Sequence, residues 1–351
     1  MPNAIEKRQQ VASFTGALAV LAMLLAPMAW AGPAVAAAVG PGVCPALRWV
    51  TLGTAGGPVP TADRSEPANL LIAGEERILV DTGDGTVDQL ARLGMDLGPV
   101  RHVFISHHHH DHTGGLAAVI GLRWMNNFPG QLTVHGPVGT REMVDGIVAS
   151  LGPQGRIGFG LGKPPPPPAA SVKVVEIAAG ESVAIGDLRV TTAANTHFDH
   201  GGAAPESAGP SSAAAPQSLS YRFELGNRSI TFTGDTGPSE AVTRLAQHTD
   251  LLVSEVIDLD RLLAEIRLRR SDMPPAVAEG MRQHLSTHHL VPVDVGRMAA
   301  AAGVKHLVLT HFAVPGLLIE SEPALRSGVG GSYAGTVDLA RDLASFSVGC
   351  P

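Results

Sequence analysis

Short apolar runs, each closed by glycine, proline or a charge, recur along the chain and read as buried strands rather than long helices. Residues 47–52 form the first such run and lead into a tight glycine turn, Gly53-Thr54-Ala55-Gly56-Gly57-Pro58. Residues 69–72 and 77–80 flank Ala73-Gly74-Glu75-Glu76 and predict a hairpin. The spacing becomes helical over residues 87–93 and returns to a short apolar run at 100–105. Thr113-Gly114-Gly115 then opens a helix through residues 117–121. A second round follows: a strand at 132–135, a helix at 140–151, strands at 172–177 and 188–192, and a hairpin at 220–232 around Leu225-Gly226-Asn227. Two rounds of strands with intervening helices predict an α/β fold of two stacked sheets covered by helices, four layers in the order αββα. The proline run at 164–168 and the Gly/Ala/Pro/Ser stretch at 201–218 are predicted loops at the rim of one domain.

Composition adds a compartment. The 351 residues are 44% hydrophobic, enough for a large core. At the N-terminus, Lys7 and Arg8 precede an apolar run over residues 11–25 and the small-residue triplet Ala29-Trp30-Ala31, the pattern of a secretory signal peptide over residues 1–31. Cleavage near Ala36 and retention as a membrane anchor are the competing readings; Pro27 and the alanine-rich exit favour cleavage. A flexible leader at 32–45 and a domain at 46–351 follow, with no stable membrane insertion after cleavage and a periplasmic or secreted location. In an oxidising compartment, Cys44 and Cys350, near the two ends, are expected to form a disulfide, with two free thiols the alternative. The net charge of −7 and the lack of a basic stripe argue against a polyanionic partner. Oligomeric state leaves no mark on the sequence.

Candidate chemistry concentrates in Ser106-His107-His108-His109-His110-Asp111-His112, directly after an apolar strand. Imidazole nitrogens and carboxylate oxygens are zinc donors, and His-x-His-x-Asp-His on one loop can serve two ions. His107 and His109 project together toward one ion, Asp111 and His112 toward a second, and the intervening His108 and His110 are expected to point elsewhere. An incidental surface run of histidines would not sit between an apolar strand and a Thr-Gly-Gly helix start.

On these residues the chain resembles the metallo-β-lactamase superfamily, and the resemblance implies the rest of the site. It makes His197, in Thr196-His197, the third ligand of the first metal. It makes Asp235, in Ile230-Thr231-Phe232-Thr233-Gly234-Asp235-Thr236, the bridging ligand, and His311, in His306-Leu307-Val308-Leu309-Thr310-His311, the last. Asp81, in Val80-Asp81-Thr82-Gly83, resembles the carboxylate that orients a ligand histidine from behind. The opening glycine turn, Tyr221-Arg222-Phe223 and Ser286-Thr287-His288-His289 look like the ribonuclease Z and arylsulfatase-like branch, in which an extra histidine assists at the transferred group. His289 is the choice for it, with His288 the nearest competitor. His102, His135, His248 and His284 are expected to be structural or surface groups, while Asp199 and His200 could reach the cleft.

The resemblance implies an exported dinuclear hydrolase that uses a metal-bridging hydroxide, with Asp111 orienting the nucleophile and His289 assisting. Two zinc ions are expected, with manganese or iron open. The long arm that ribonuclease Z uses to hold transfer RNA is not evident. With the acidic charge and predicted export, its absence leads to a small anionic ester as expected substrate, a phosphodiester or aryl sulfate, and to no nucleic-acid partner. A lactonase or β-lactamase-type enzyme and a non-catalytic periplasmic zinc-binding protein are the alternatives.

Overall fold

The computed structural model describes residues 46–157, 165–199 and 215–349. The predicted signal segment 1–31, the leader up to residue 45, both cysteines and His200 lie outside the described residues. Among the described residues, no helix is long and apolar enough to cross a membrane.

Two seven-stranded mixed sheets form the centre. The first contains β1 (Leu47–Gly53), β2 (Ala68–Ala73), β3 (Glu76–Thr82), β4 (Val100–Phe104), β5 (Leu132–Gly136) and β6 (Val172–Glu176). The second contains β7 (Ser182–Ile185), β8 (Leu188–Ala194), β9 (Leu219–Leu225), β10 (Arg228–Phe232), β11 (Leu251–Ile257), β12 (His306–Ala313) and β13 (Thr336–Leu339). The chain then returns to the first sheet as β14 (Ala344–Val348), so the orders are β14-β1-β2-β3-β4-β5-β6 and β13-β12-β11-β10-β9-β8-β7. In each sheet an antiparallel half meets a parallel half: β3 to β6 and β10 to β13 run parallel. Parallel strands need cover on both faces, which is why their sequences read as continuous apolar runs.

Alternation along β1 shows how the layers are made. Leu47 and Trp49 point between the sheets, whereas Val50 and Leu52 point outward under the helices. The inner layer joins Trp49, Val80 and Phe104 to Tyr221, Phe223, Phe232 and Val308, with the Trp49 ring centroid 5.5 Å from that of Phe232. Each such side chain contributes on the order of 1.5–3 kcal/mol by leaving water. The first sheet's outer face is covered by helices Thr86–Arg92, Leu116–Met125 and Thr140–Ser150, through Leu90, Val119, Trp124 and Val144. The second is covered by Glu240–Leu245, Pro292–Ala301 and Leu318–Gly330, through Val242, Val295, Met298 and Leu325. The expected four-layer αββα sandwich is therefore present.

Local differences have local causes. The helix after the histidine run is split into one turn, His110–Thr113, and Leu116–Met125. The break falls at Gly115, where a Cβ would lie 2.4 Å from the Gly83 carbonyl, so no other residue lets the helix start approach the end of β3 so closely. His135 is structural as expected: it is 3% exposed and its ring stacks on Phe104 at 4.4 Å. A helical pair, Leu259–Arg269 and Pro275–His288, extends from the end of β11 and carries the chain back to the site.

Candidate metal centre

The candidate ligands gather at the carboxyl ends of strands, where a parallel sheet presents its loops, and His289 joins them from the end of a helix. Asp81 closes β3, residues 107–112 follow β4, His197 follows β8, Asp235 follows β10 and His311 lies in β12. Two of them hold backbone conformations that L-residues rarely adopt, Asp81 at φ 57° and His311 at φ 45°. At His311 the cause is a bulge: Glu255 pairs with Thr310 but Val256 with Phe312, so His311 is the extra residue and its side chain is re-aimed. Such strain costs on the order of 1–3 kcal/mol and persists where surrounding structure enforces it.

Imidazole orientation is fixed from behind. The Ser106 backbone N–H donates to Asp81 Oδ1 at 2.7 Å and its hydroxyl to Asp81 Oδ2 at 2.8 Å. With its proton committed, Ser106 Oγ accepts from His107 Nδ1 at 3.0 Å. His112 Nδ1 donates to Asp81 Oδ2 at 2.8 Å, and His197 Nδ1 donates to the His288 carbonyl at 3.0 Å. These partners place the protons of His107, His112 and His197 on Nδ1 and leave their Nε2 lone pairs facing inward.

The inward atoms form two clusters. His107 Nε2 and His197 Nε2 lie 3.0 and 3.1 Å from His109 Nδ1. Those spacings approach the ~3.3 Å edge of a tetrahedron with zinc–nitrogen bonds of about 2.0 Å. The second cluster is Asp111, His112 and His311: His112 Nε2 is 3.2 Å from His311 Nε2, and Asp111 Oδ2 is 3.5 and 3.7 Å from them. Asp235 stands between. Its Oδ1 is 3.3 and 3.1 Å from His112 and His311, and its Oδ2 is 4.0 Å from both His107 and His197. Asp235 Oδ1 is buried without a hydrogen-bond partner. Imidazole nitrogens and carboxylate oxygens converging this closely in a buried site need positive charge among them, so the donor set fits divalent metals.

The electrostatics agree. Burial drives His107 well below its ordinary pKa and His197 down to about 3, so both rings are neutral. Burial also opposes charge on His112 and His311, yet Asp235 and Asp81 hold His112 well above its ordinary value, and Asp235 and Asp111 lift His311 to about 10. Asp111, despite burial, is drawn down to about 2, chiefly by its hydrogen bond to His311. The buried carboxylates thus demand positive charge, which protons supply here and metal would supply in their place.

Of the two neighbouring histidines, His289 faces the cluster and His288 does not. His289 packs 4.8 Å from the His197 ring and stacks with His311 at 6.4 Å, whereas His288 lends its carbonyl to His197 and its ring to His284 and the Asp199 carbonyl. Asp199 is exposed, His110 points outward and His108 bonds to Thr140. Glu255 is the functional residue that sequence reasoning missed. It is fully buried in β11, takes the Thr236 N–H on one oxygen, and accepts from His289 Nδ1 at 2.8 Å on the other. Burial opposes a charge on His289, but Glu255 more than offsets it and holds the imidazole above its ordinary pKa.

The family described as "Beta-lactamase superfamily domain" matches residues 76–312. A Ribonuclease Z of Mycobacterium avium is 29% identical over 305 residues, covering 86% of this chain and 99% of that protein. Among solved structures, the metallo-beta-lactamase fold protein YhfI of Bacillus subtilis superposes with a TM-score of 0.61 at 18% identity, covering 87% of this chain and 100% of that one. The short form of human tRNase Z gives a TM-score of 0.57 at 19% identity, covering 86% and 100%. These relatives correct the expectation of a small-molecule ester without nucleic acid: proteins matched along nearly their whole length are ribonucleases. Net charge misled because it averages over the surface, whereas a phosphate is met by the field of the site itself.

Proposed function

The chain belongs to the metallo-β-lactamase superfamily, and on that premise we propose that it is a dinuclear metal-dependent phosphodiesterase acting on RNA. The observation that carries this reading is Asp235, whose two carboxylate oxygens face two separate donor clusters. In the proposed assignment His107, His109 and His197 would hold one metal and Asp111, His112 and His311 the other, with Asp235 available to both. Imidazole-rich sets of this kind suit zinc, with manganese or iron compatible.

A bound metal pair supplies Lewis-acid stabilisation of the phosphoryl oxygens and a water acidic enough to attack near neutral pH. The chain's own groups do the rest. Asp111, a buried carboxylate held beside His112 and His311, would orient the attacking water. Glu255 fixes the His289 proton on Nδ1 and raises the ring's pKa, so a protonated His289 can stabilise charge developing on phosphorus-bound oxygen or protonate the leaving oxygen. The charged-then-apolar N-terminal pattern supports placing this activity outside the cytoplasm, and mass determination of the mature N-terminus after expression with an export pathway tests it.

The deciding experiment incubates zinc-loaded protein with a 5′-labelled RNA and with bis-p-nitrophenyl phosphate, using Asp235→Ala as control. Phosphodiester cleavage that disappears in the variant supports the reading. A protein that holds two metals per chain and cleaves neither overturns it.

A further inference from the structure

Phe198 stands apart from the other aromatic side chains of the fold. It follows the ligand candidate His197, is only partly buried, and belongs to none of the three apolar clusters among the described residues. Its ring packs instead on the first metal cluster, with centroids 4.8 Å from His197, 5.2 Å from His109 and 5.6 Å from His107. The His107 and His109 contacts are edge-to-face, at 73° and 84°. His109 is itself exposed, so these two rings form an aromatic lip at the mouth of the site. A partly exposed phenyl ring that belongs to no apolar cluster among the described residues, set beside the atoms that would meet a phosphate, is suited to receive a flat partner.

We infer that Phe198 is the platform on which the nucleobase next to the scissile phosphate stacks. This rests on the proposed RNA substrate and deepens it by naming how the nucleotide is held. Every base has a π-face, so a stacking ring accepts any of the four and favours nucleotides over base-free phosphates. The sugar between phosphate and base is short enough that a phosphate at the metal cluster brings its base to the lip of the site. Phe198 acts on binding and specificity and takes no part in proton transfer.

The test compares uridine 5′-monophosphate with ribose 5-phosphate, which differ only in the base, by calorimetry on the zinc-loaded full chain. Wild-type protein is expected to bind the nucleotide roughly tenfold more tightly, a modest share of what base–aromatic stacking supplies. Phe198→Leu, which keeps apolar bulk but removes the π-face, is expected to bring the two affinities together, and Phe198→Trp to preserve the preference, with zinc content unchanged in both. Equal affinities in wild type, or equal weakening of both ligands in Phe198→Leu, overturns the inference. Loss of zinc in both variants also overturns it and assigns Phe198 to holding the ligand rings. RNA cleavage by wild type is recorded in parallel: its absence strikes the proposed function, whereas cleavage together with equal affinities for the nucleotide and ribose 5-phosphate strikes the platform alone.

Discussion

Replacing Asp81 by Asn changes one atom and should cripple metal binding without unfolding the protein. Asn keeps the size of the side chain and tolerates the left-handed φ of 57° at this position. Its carbonyl oxygen can still accept from the Ser106 N–H. The other position becomes an NH2 group that must donate where Asp81 Oδ2 accepted from both His112 Nδ1 and Ser106 Oγ. His112 then has to accept on Nδ1, which moves its proton to Nε2 and into the second cluster. Ser106 Oγ, no longer able to donate to residue 81, turns its proton toward His107 Nδ1 and pushes that ring's proton to Nε2 as well. One substitution thus inverts a ligand tautomer in each cluster. Loss of an orienting partner of this kind weakens metal affinity about 10- to 100-fold, or about 1.4 to 2.7 kcal/mol. Competition against a chromophoric chelator measures it, with circular dichroism confirming the fold. Asp81→Asn protein that takes up two zinc ions at wild-type affinity would refute the tautomer argument.

Gly57→Ala should lower zinc content from two ions per chain toward one, because the added Cβ would lie 2.4 Å from Asp111 Oδ2 and displace that carboxylate; atomic absorption after dialysis reads it. Glu255→Gln removes the charge that holds His289 above its ordinary pKa, so the alkaline limb of the pH–rate profile, where a protonated His289 is lost, should move to lower pH; an unmoved limb would assign the limb to another group. His135 is held to about pKa 3 by burial, against about 6.5 in the unfolded chain, so the stability it contributes is complete above pH 6.5 and drains away as pH falls toward 3. The full span is about 5 kcal/mol, of which about 2.5 kcal/mol falls between pH 6 and 4, and urea melts of His135→Phe should lack that part of the wild-type pH dependence.

Much of this site was legible because its residues sit in short runs at strand ends. His107 to His112 announce themselves by density, whereas Asp235 and His311 were named through the family resemblance, which their place at the far ends of apolar strands fits. Glu255 was hidden by the opposite circumstance: it lies within β11, every residue of which is buried, where a carboxylate reads as a break in the pattern rather than as chemistry. Its partner 34 residues later becomes a partner through the helical pair 259–288, whose sequence carries no mark of where it leads. Phe198 escaped notice for a similar reason, since one aromatic residue beside a ligand looks like any core residue until its exposure is known. The short edge strands β7, β13 and β14 have too few alternations to stand out, and only pairing with their neighbours defines them. The choice of His289 over His288 was open by spacing alone, because adjacent residues at a helix end point in different directions.

The return of β14 to pair with β1 makes the order of folding matter. Until residues 344–348 are in place, β1 is an open edge carrying Leu47, Trp49 and the unpaired backbone groups of one side. Such an edge is a template for a strand from another molecule. Closing so long a loop costs little extra equilibrium free energy per added residue, since the entropy grows only with the logarithm of length, but it delays the pairing. Chains cut short before β14 should therefore fail first by association with one another. That failure begins on the edge of the sheet, with every metal-binding side chain still present.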